Sequence, residues 1–79
     1  MVENIIQMFK EDNIIGIKIF LRRYGIYLPQ SIPLAYVVEE KREFMHVHIY
    51  PQGFPIKILV TIDKEKKEVN ADWVELERE

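Results

Sequence analysis

The sequence has no cysteine and few glycines, three in all. The lack of cysteine excludes disulfide bridges, thiolate zinc sites and thiol nucleophiles, and it fits a protein of the reducing cytoplasm. So few glycines leave no glycine-rich phosphate loop. No long apolar run occurs, so we expect neither a signal peptide nor a membrane-spanning helix. Together these absences predict a small cytoplasmic protein without a bound cofactor.

An excess of charge of one sign is also missing. The chain has 11 basic and 13 acidic residues, for a net charge of -2. Non-specific binding to nucleic acid is therefore not expected. Charged residues make up 30% of the chain, and together with many isoleucines this is typical of thermophilic proteins. A length of 79 residues predicts one domain, residues 1–79, with one core.

The N-terminal third predicts two helices. Residues 2–11 are amphipathic, with apolar side chains on one face at helical spacing: Val2, Ile5, Ile6 and Phe9. Residues 14–24 are ambiguous, because their isoleucines alternate as in a strand and Gly16 disfavours a helix. The segment ends on Arg-Arg-Tyr-Gly-Ile, which is typical of a helix C-terminus. Asn13 is a suitable N-cap, so we predict a helix, with Lys18, Arg22 and Arg23 in solvent.

The remaining chain predicts an antiparallel β-meander with strands near 34–39, 44–50, 55–63 and 68–73. Loops of four residues, EKRE, PQGF and KEKK, would connect them. The implied register pairs Val47 with Tyr36 and Ile58, and Ile58 with Trp73, so one face is apolar. We expect the two helices to cover this face, with Trp73 in the core. Val74 and Leu76 fall out of phase, which predicts a bulge or a short helix after Trp73.

An alternative assignment makes PQSIPLAYVVEEKREF a third helix, capped by Ser31. Three helices followed by a hairpin at 44–63 resemble a winged helix-turn-helix protein, and LRRYGIYLPQS resembles the turn of that motif. This resemblance implies DNA binding. The would-be recognition helix opposes it, because phosphates would repel its acidic residues: Glu39, Glu40 and Glu43, against Lys41 and Arg42.

The second face of the predicted sheet mixes apolar and polar side chains: Ala35, Val37, Phe44, His46, His48, Tyr50, Lys57, Leu59, Thr61, Asn70 and Asp72. It is too apolar for simple exposure and too polar for a core. We therefore predict that a second copy of the chain, or another protein, covers it. The predicted interaction surface contains Val37, Phe44, His46, His48, Tyr50, Lys57 and Leu59.

The only two histidines, His46 and His48, lie within this face in the stretch FMHVHIYP. They could be ordinary half-buried side chains, or two ligands of one metal ion, since both point to the same side of a strand. A third ligand is hard to find, because Asp72 lies two strands from His46 and Lys57 would repel a cation. We therefore predict no metal.

The stretch HVHIY also resembles the histidine-triad pattern of nucleotide hydrolases and transferases. That resemblance implies His48 as a nucleophile, but Tyr50 stands where the third histidine belongs. Single-stranded RNA binding through Phe44, Tyr50 and Lys57 is a further alternative, and the acidic side chains of Glu68 and Asp72 oppose it.

We therefore predict a non-enzymatic interaction or regulatory module that forms a homodimer. The alternatives are a winged-helix DNA-binding protein and, third, a metal or phosphoester site at the histidine pair.

Overall fold

The computed structural model describes residues 1–77. Two helices are followed by four strands: α1 (Val2–Lys10), α2 (Ile14–Arg22), β1 (Leu34–Glu40), β2 (Phe44–Pro51), β3 (Ile56–Asp63) and β4 (Glu68–Glu75). The strands form one antiparallel sheet in the order β1-β2-β3-β4. The predicted α+β arrangement, two N-terminal helices and a four-stranded meander, is confirmed.

Helix α1 is amphipathic in the way the sequence predicts. Val2, Ile5 and Phe9 are buried on one side, at spacings that bring them onto a common face. Glu3 lies in the first turn and Lys10 in the last, where each side chain interacts favourably with the helix dipole.

Helix α2 begins and ends at the predicted signals. The side chain of Asn13 accepts a hydrogen bond of 3.0 Å from the backbone N–H of Gly16, which satisfies one of the free donors of the first turn. A Cβ atom on Gly16 would lie 2.7 Å from the Asn13 side-chain nitrogen, so the cap explains a glycine inside the helix. The helix ends where Gly25 adopts a φ of +76° and Ile26 N–H donates to the carbonyl of Leu21, a Schellman ending.

The winged-helix assignment is wrong, because the segment that it needs as a third helix is strand β1. Residues 34–40 pair antiparallel with β2 along their whole length. Val37 and Val38 in this segment are β-branched, which favours a strand over a helix.

The register of the sheet is partly as predicted. Strands β3 and β4 pair as expected, with Val60 opposite Ala71 and Ile58 opposite Trp73. The two other pairings are shifted by two residues, so that Val47 lies opposite Val60 on β3 and Val38 on β1. The first loop therefore has three residues, 41–43, and the second is 52–55. A shift of two residues keeps every side chain on its predicted face.

The core lies between the helices and one face of the sheet. Its buried apolar side chains are Val2, Ile5, Phe9, Ile17, Phe20, Leu21, Ile26, Leu28, Met45, Val47, Ile49, Ile58, Val60, Ile62 and Ala71. Tyr36 ties the two layers together, because the single proton of its hydroxyl is shared between two acceptors, Asp12 Oδ1 at 2.7 Å and the Phe9 carbonyl at 2.9 Å.

Three expectations for individual residues are wrong. Trp73 is not in the core but 48% exposed, because β4 is an edge strand of the sheet. Strand β4 continues regularly to Glu75, with Val74 opposite Lys57, so neither a bulge nor a helix follows Trp73 within the described residues, which end at position 77. Lys18 is buried, only 4% exposed, because its ammonium group finds acceptors inside the protein.

Candidate functional site

The candidate site is the sheet face opposite the helices, which we call the open face. The register places all seven residues of the predicted interaction surface on it, together with Glu39 on β1 and Val74 on β4. Strand alternation explains this, since the neighbours of these side chains along each strand are the buried core residues. No helix within residues 1–77 packs on the open face, because the buried helix residues belong to the core on the other side.

Apolar side chains cross the open face from one edge strand to the other. Val37 on β1 is 58% exposed, and Val74 on β4 is 55% exposed. Between them, Leu59 on β3 is half-buried, while Phe44 and Tyr50 at the two ends of β2 are exposed. The resulting apolar strip has members on all four strands, with His48 and Lys57 among them.

The predicted register places His46 between Val37 and Leu59, and His48 between Ala35 and Lys57, but both histidines lie in other rows of the sheet. His48, not His46, lies between Val37 and Leu59, and Asp72 completes this row on β4. His46 lies between Glu39 and Thr61. The cause is the shift of two residues in the pairing of β2 with both neighbours.

His48 has a polar partner that sequence reasoning missed. Its Nε2 donates a hydrogen bond of 2.7 Å to Glu39 Oε1, because a carboxylate can only accept. This hydrogen bond holds the pKa of Glu39 below its usual value. Glu39 lies two residues after Val37 and so on the same face of β1. The shift in register places Val37 opposite His48, which brings the neighbouring Glu39 carboxylate within reach of the His48 ring.

The surroundings of His46 and His48 bear on the metal and phosphoester alternatives. Among residues 1–77, no group of three histidine or carboxylate side chains could hold a metal ion. The Nε2 atom of His48 is occupied by Glu39, and the ring of His46 lies against Phe44, with centroids 6.2 Å apart.

Lys57 lies at the β4 side of the open face. It lines a shallow depression of about 230 Å³ with Leu59, Asp72, Trp73 and Val74. An aliphatic lysine stem can cover apolar surface while its ammonium group stays in water. Lys57 therefore adds both apolar area and a positive charge to this side of the face.

Two features outside the open face were not predicted. Lys18 Nζ donates to the carbonyls of Pro29, Gln30 and Ile32, and so fixes the connection between α2 and β1. The helical spacing of Lys18 from Ile14 and Leu21 is the signal that could have revealed its burial. The second feature is a group of exposed aromatic side chains at the β4 edge, described below.

No helix in the described part of the chain is long and apolar enough to cross a membrane. Comparisons with protein-family models, with curated proteins and with solved structures gave no match. Fold and surface therefore define the chain as a small α+β domain with one helix-covered and one open sheet face.

Proposed function

We propose that the protein is a small, non-enzymatic interaction module that forms a homodimer through the open face of its sheet. The observation that carries this proposal is the apolar strip across the four strands, with Val37 and Val74 more than half exposed at its two ends. Contiguous apolar surface of this kind is typical of sites where another protein binds.

The size of the open face suits a modest dimer. Four strands spaced about 4.8 Å apart, with seven or eight residues at about 3.4 Å each, give a face of roughly 450–500 Å². Two such faces would bury on the order of 1,000 Å² together, at the lower limit for a specific interface. We therefore expect reversible association at micromolar concentration, because the entropy of association opposes so small an area.

The charges on the open face permit two copies to meet. Glu39 and Asp72 are acidic, Lys57 is basic, and His48 donates to Glu39. A two-fold axis repeats these charges on both partners. Because both signs are present on separate strands, a rotation can bring unlike charges together and avoid like-charge contacts.

Analytical ultracentrifugation at neutral pH across micromolar concentrations tests the proposal. The unmodified chain is expected to dimerise, and Val37→Lys is expected to weaken the dimer at least about tenfold, because it places two like charges in a small apolar interface. Because Val37 is 58% exposed, the substitution should leave the fold intact, and circular dichroism checks this.

Ile19→Lys is the matched control, because Ile19 on α2 is 53% exposed and apolar but lies outside the open face. It should leave dimerisation unchanged. A chain that stays monomeric at all concentrations would contradict the proposal. Loss of the dimer with Ile19→Lys but not with Val37→Lys would move the interface to α2.

A further inference from the structure

A second surface lies at the β4 edge, next to the open face, with Trp73 at the border between them. Three aromatic side chains from different parts of the chain line one depression of about 250 Å³: Tyr27 after α2, Phe54 in the β2–β3 loop and Trp73 on β4. Tyr27 is 72% exposed, and the two others are exposed as well. The segment from Gly25 to Leu28 forms its floor together with Ile56.

An acidic depression adjoins this aromatic one. It has a volume of about 610 Å³ and shares Ile56 and Trp73 with the first, while Glu75 and Glu77 form its rim. Among residues 1–77, none of those that line either depression is basic. Aromatic faces therefore lie beside the carboxylates of Glu75 and Glu77.

The sequence around Trp73 has the same charge bias. Five acidic residues occur between positions 68 and 79, against one basic residue, Arg78. Such a segment attracts cations and repels anions and acidic chains. It also opposes pairing of β4 with the β4 strand of a second copy, because that would bring like charges together.

We propose that these adjoining depressions bind a basic peptide segment, with a lysine or arginine side chain inserted between Tyr27, Phe54 and Trp73. Aromatic faces attract cations through their quadrupole, and tryptophan does so most strongly. Glu75 and Glu77 bind further basic residues of the same segment. Because the two depressions adjoin at Ile56 and Trp73, together they suit several residues of a peptide better than a single small cation.

The hydrogen bonds along β4 favour recognition through side chains over addition of a further strand. The Trp73 backbone N–H donates to the Asp72 side chain at 2.8 Å, and the Val69 carbonyl accepts from the Tyr24 hydroxyl at 3.0 Å. These groups are thus engaged locally, as is common where an edge strand is protected from pairing.

Trp73 is the only tryptophan of the chain, so its indole N–H gives a single NMR signal that reports on this surface. We expect a short peptide of alternating arginine and glycine to shift this signal saturably, with weak affinity that falls as salt is raised. Peptides with glutamine or glutamate in place of arginine should produce no saturable shift.

Paired variants separate site-specific binding from general charge attraction. Glu75→Gln combined with Glu77→Gln should weaken binding roughly tenfold, since two exposed ion pairs each contribute up to about a factor of five. The control, Glu43→Gln with Glu65→Gln, makes the same change in net charge at loops of the opposite end of the sheet and should have little effect. Tyr27→Leu should weaken binding roughly threefold through loss of the cation–π contact.

Several results would overturn the inference. These are no saturable shift at millimolar arginine peptide, an equal shift with the glutamine peptide, or equal weakening by the control pair. Binding of choline but not of the peptide would replace the peptide with a small cation. A shift of the Trp73 signal that depends only on protein concentration, and that persists in Val37→Lys, would assign the surface to a second copy.

Discussion

The two faces of strand β2 differ although they alternate along the same eight residues. Met45, Val47 and Ile49 are fully buried against the helices, whereas His46 and His48 between them are only partly buried. The buried face uses aliphatic side chains, which gain most from leaving water. The open face uses histidine and aromatic side chains, which combine apolar area with polar atoms and tolerate partial hydration. The comparison shows that one face of β2 is packed against the helices, while the other stays partly in contact with water.

The largest expected effect is on the free energy of unfolding, because the two faces of the sheet are buried to different extents. Ile49→Ala in the core should lower the free energy of unfolding by about 2–5 kcal/mol, because it leaves a cavity in a close-packed interior. Val37→Ala on the open face should change it by no more than about 0.5 kcal/mol. Urea denaturation measures both free-energy changes, at protein concentrations too low for association. Similar losses for the two variants would show that the open face is as tightly packed as the core.

A smaller difference in stability is expected between substitutions of two lysines, one on each side of the sheet. Lys18→Met removes a buried donor from the carbonyls of Pro29 and Gln30, to which it lies at 3.0 and 2.7 Å. We expect a loss of about 2–3 kcal/mol, because these acceptors lose a charged partner. Lys57→Met on the open face should be nearly neutral. Thermal unfolding of both variants tests this, and an unchanged melting temperature for Lys18→Met would contradict the importance of its hydrogen bonds.

The smallest expected difference in stability is between substitutions of Tyr36 on the covered side and Tyr50 on the open face. Burial, followed by the hydrogen bond to Asp12, raises the pKa of Tyr36 from 10.0 to about 12. The folded state therefore retains this proton more strongly than the unfolded state, and the resulting stabilisation is present below about pH 10 and lost as the pH rises through about 12. Tyr36→Phe should cost about 1 kcal/mol at neutral pH, and Tyr50→Phe less.

Ultraviolet absorbance of the phenolate, measured against pH, provides the second readout for Tyr36. The titration near pH 12 should disappear in Tyr36→Phe and persist in Tyr50→Phe. A titration curve that Tyr36→Phe leaves unchanged above pH 11 would contradict the assignment, since about 12 is the value for Tyr36.

Most of the fold could be predicted from the sequence because the apolar spacing, the capping residues and the turn residues all indicate the same elements. Apolar spacing indicated α1, the Asn13 cap and the Gly25 ending indicated α2, and alternation indicated the four strands. The pairing of β2 with β1 and β3 could be predicted only to within two residues, whereas β3 and β4 pair as predicted. The alternation of apolar residues shows which face of a strand is buried. It does not distinguish between two registers that differ by an even number of residues, and the length of the connecting loop decides between such registers.

The candidate sites were less predictable, for reasons that particular residues illustrate. Glu39 could not be assigned to His48, because a shift of two residues decides which carboxylate lies within reach. Trp73 was paired correctly with Ile58 but expected in the core, since a pairing partner does not reveal how far the helices extend over an edge strand. Tyr27 and Phe54 lie in connecting segments, where periodicity gives no indication of a shared surface.

The contacts of Lys18 have a consequence for how this protein can change through evolution. Its ammonium group binds main-chain oxygens only, and every amino acid supplies such an oxygen. The side chains at positions 30 and 32 are thus free to diverge without loss of these bonds, whereas position 18 needs a long donor that reaches all three carbonyls. In relatives of this chain, a lysine at that place in the second helix should therefore persist longer than the sequence of the connection that it holds.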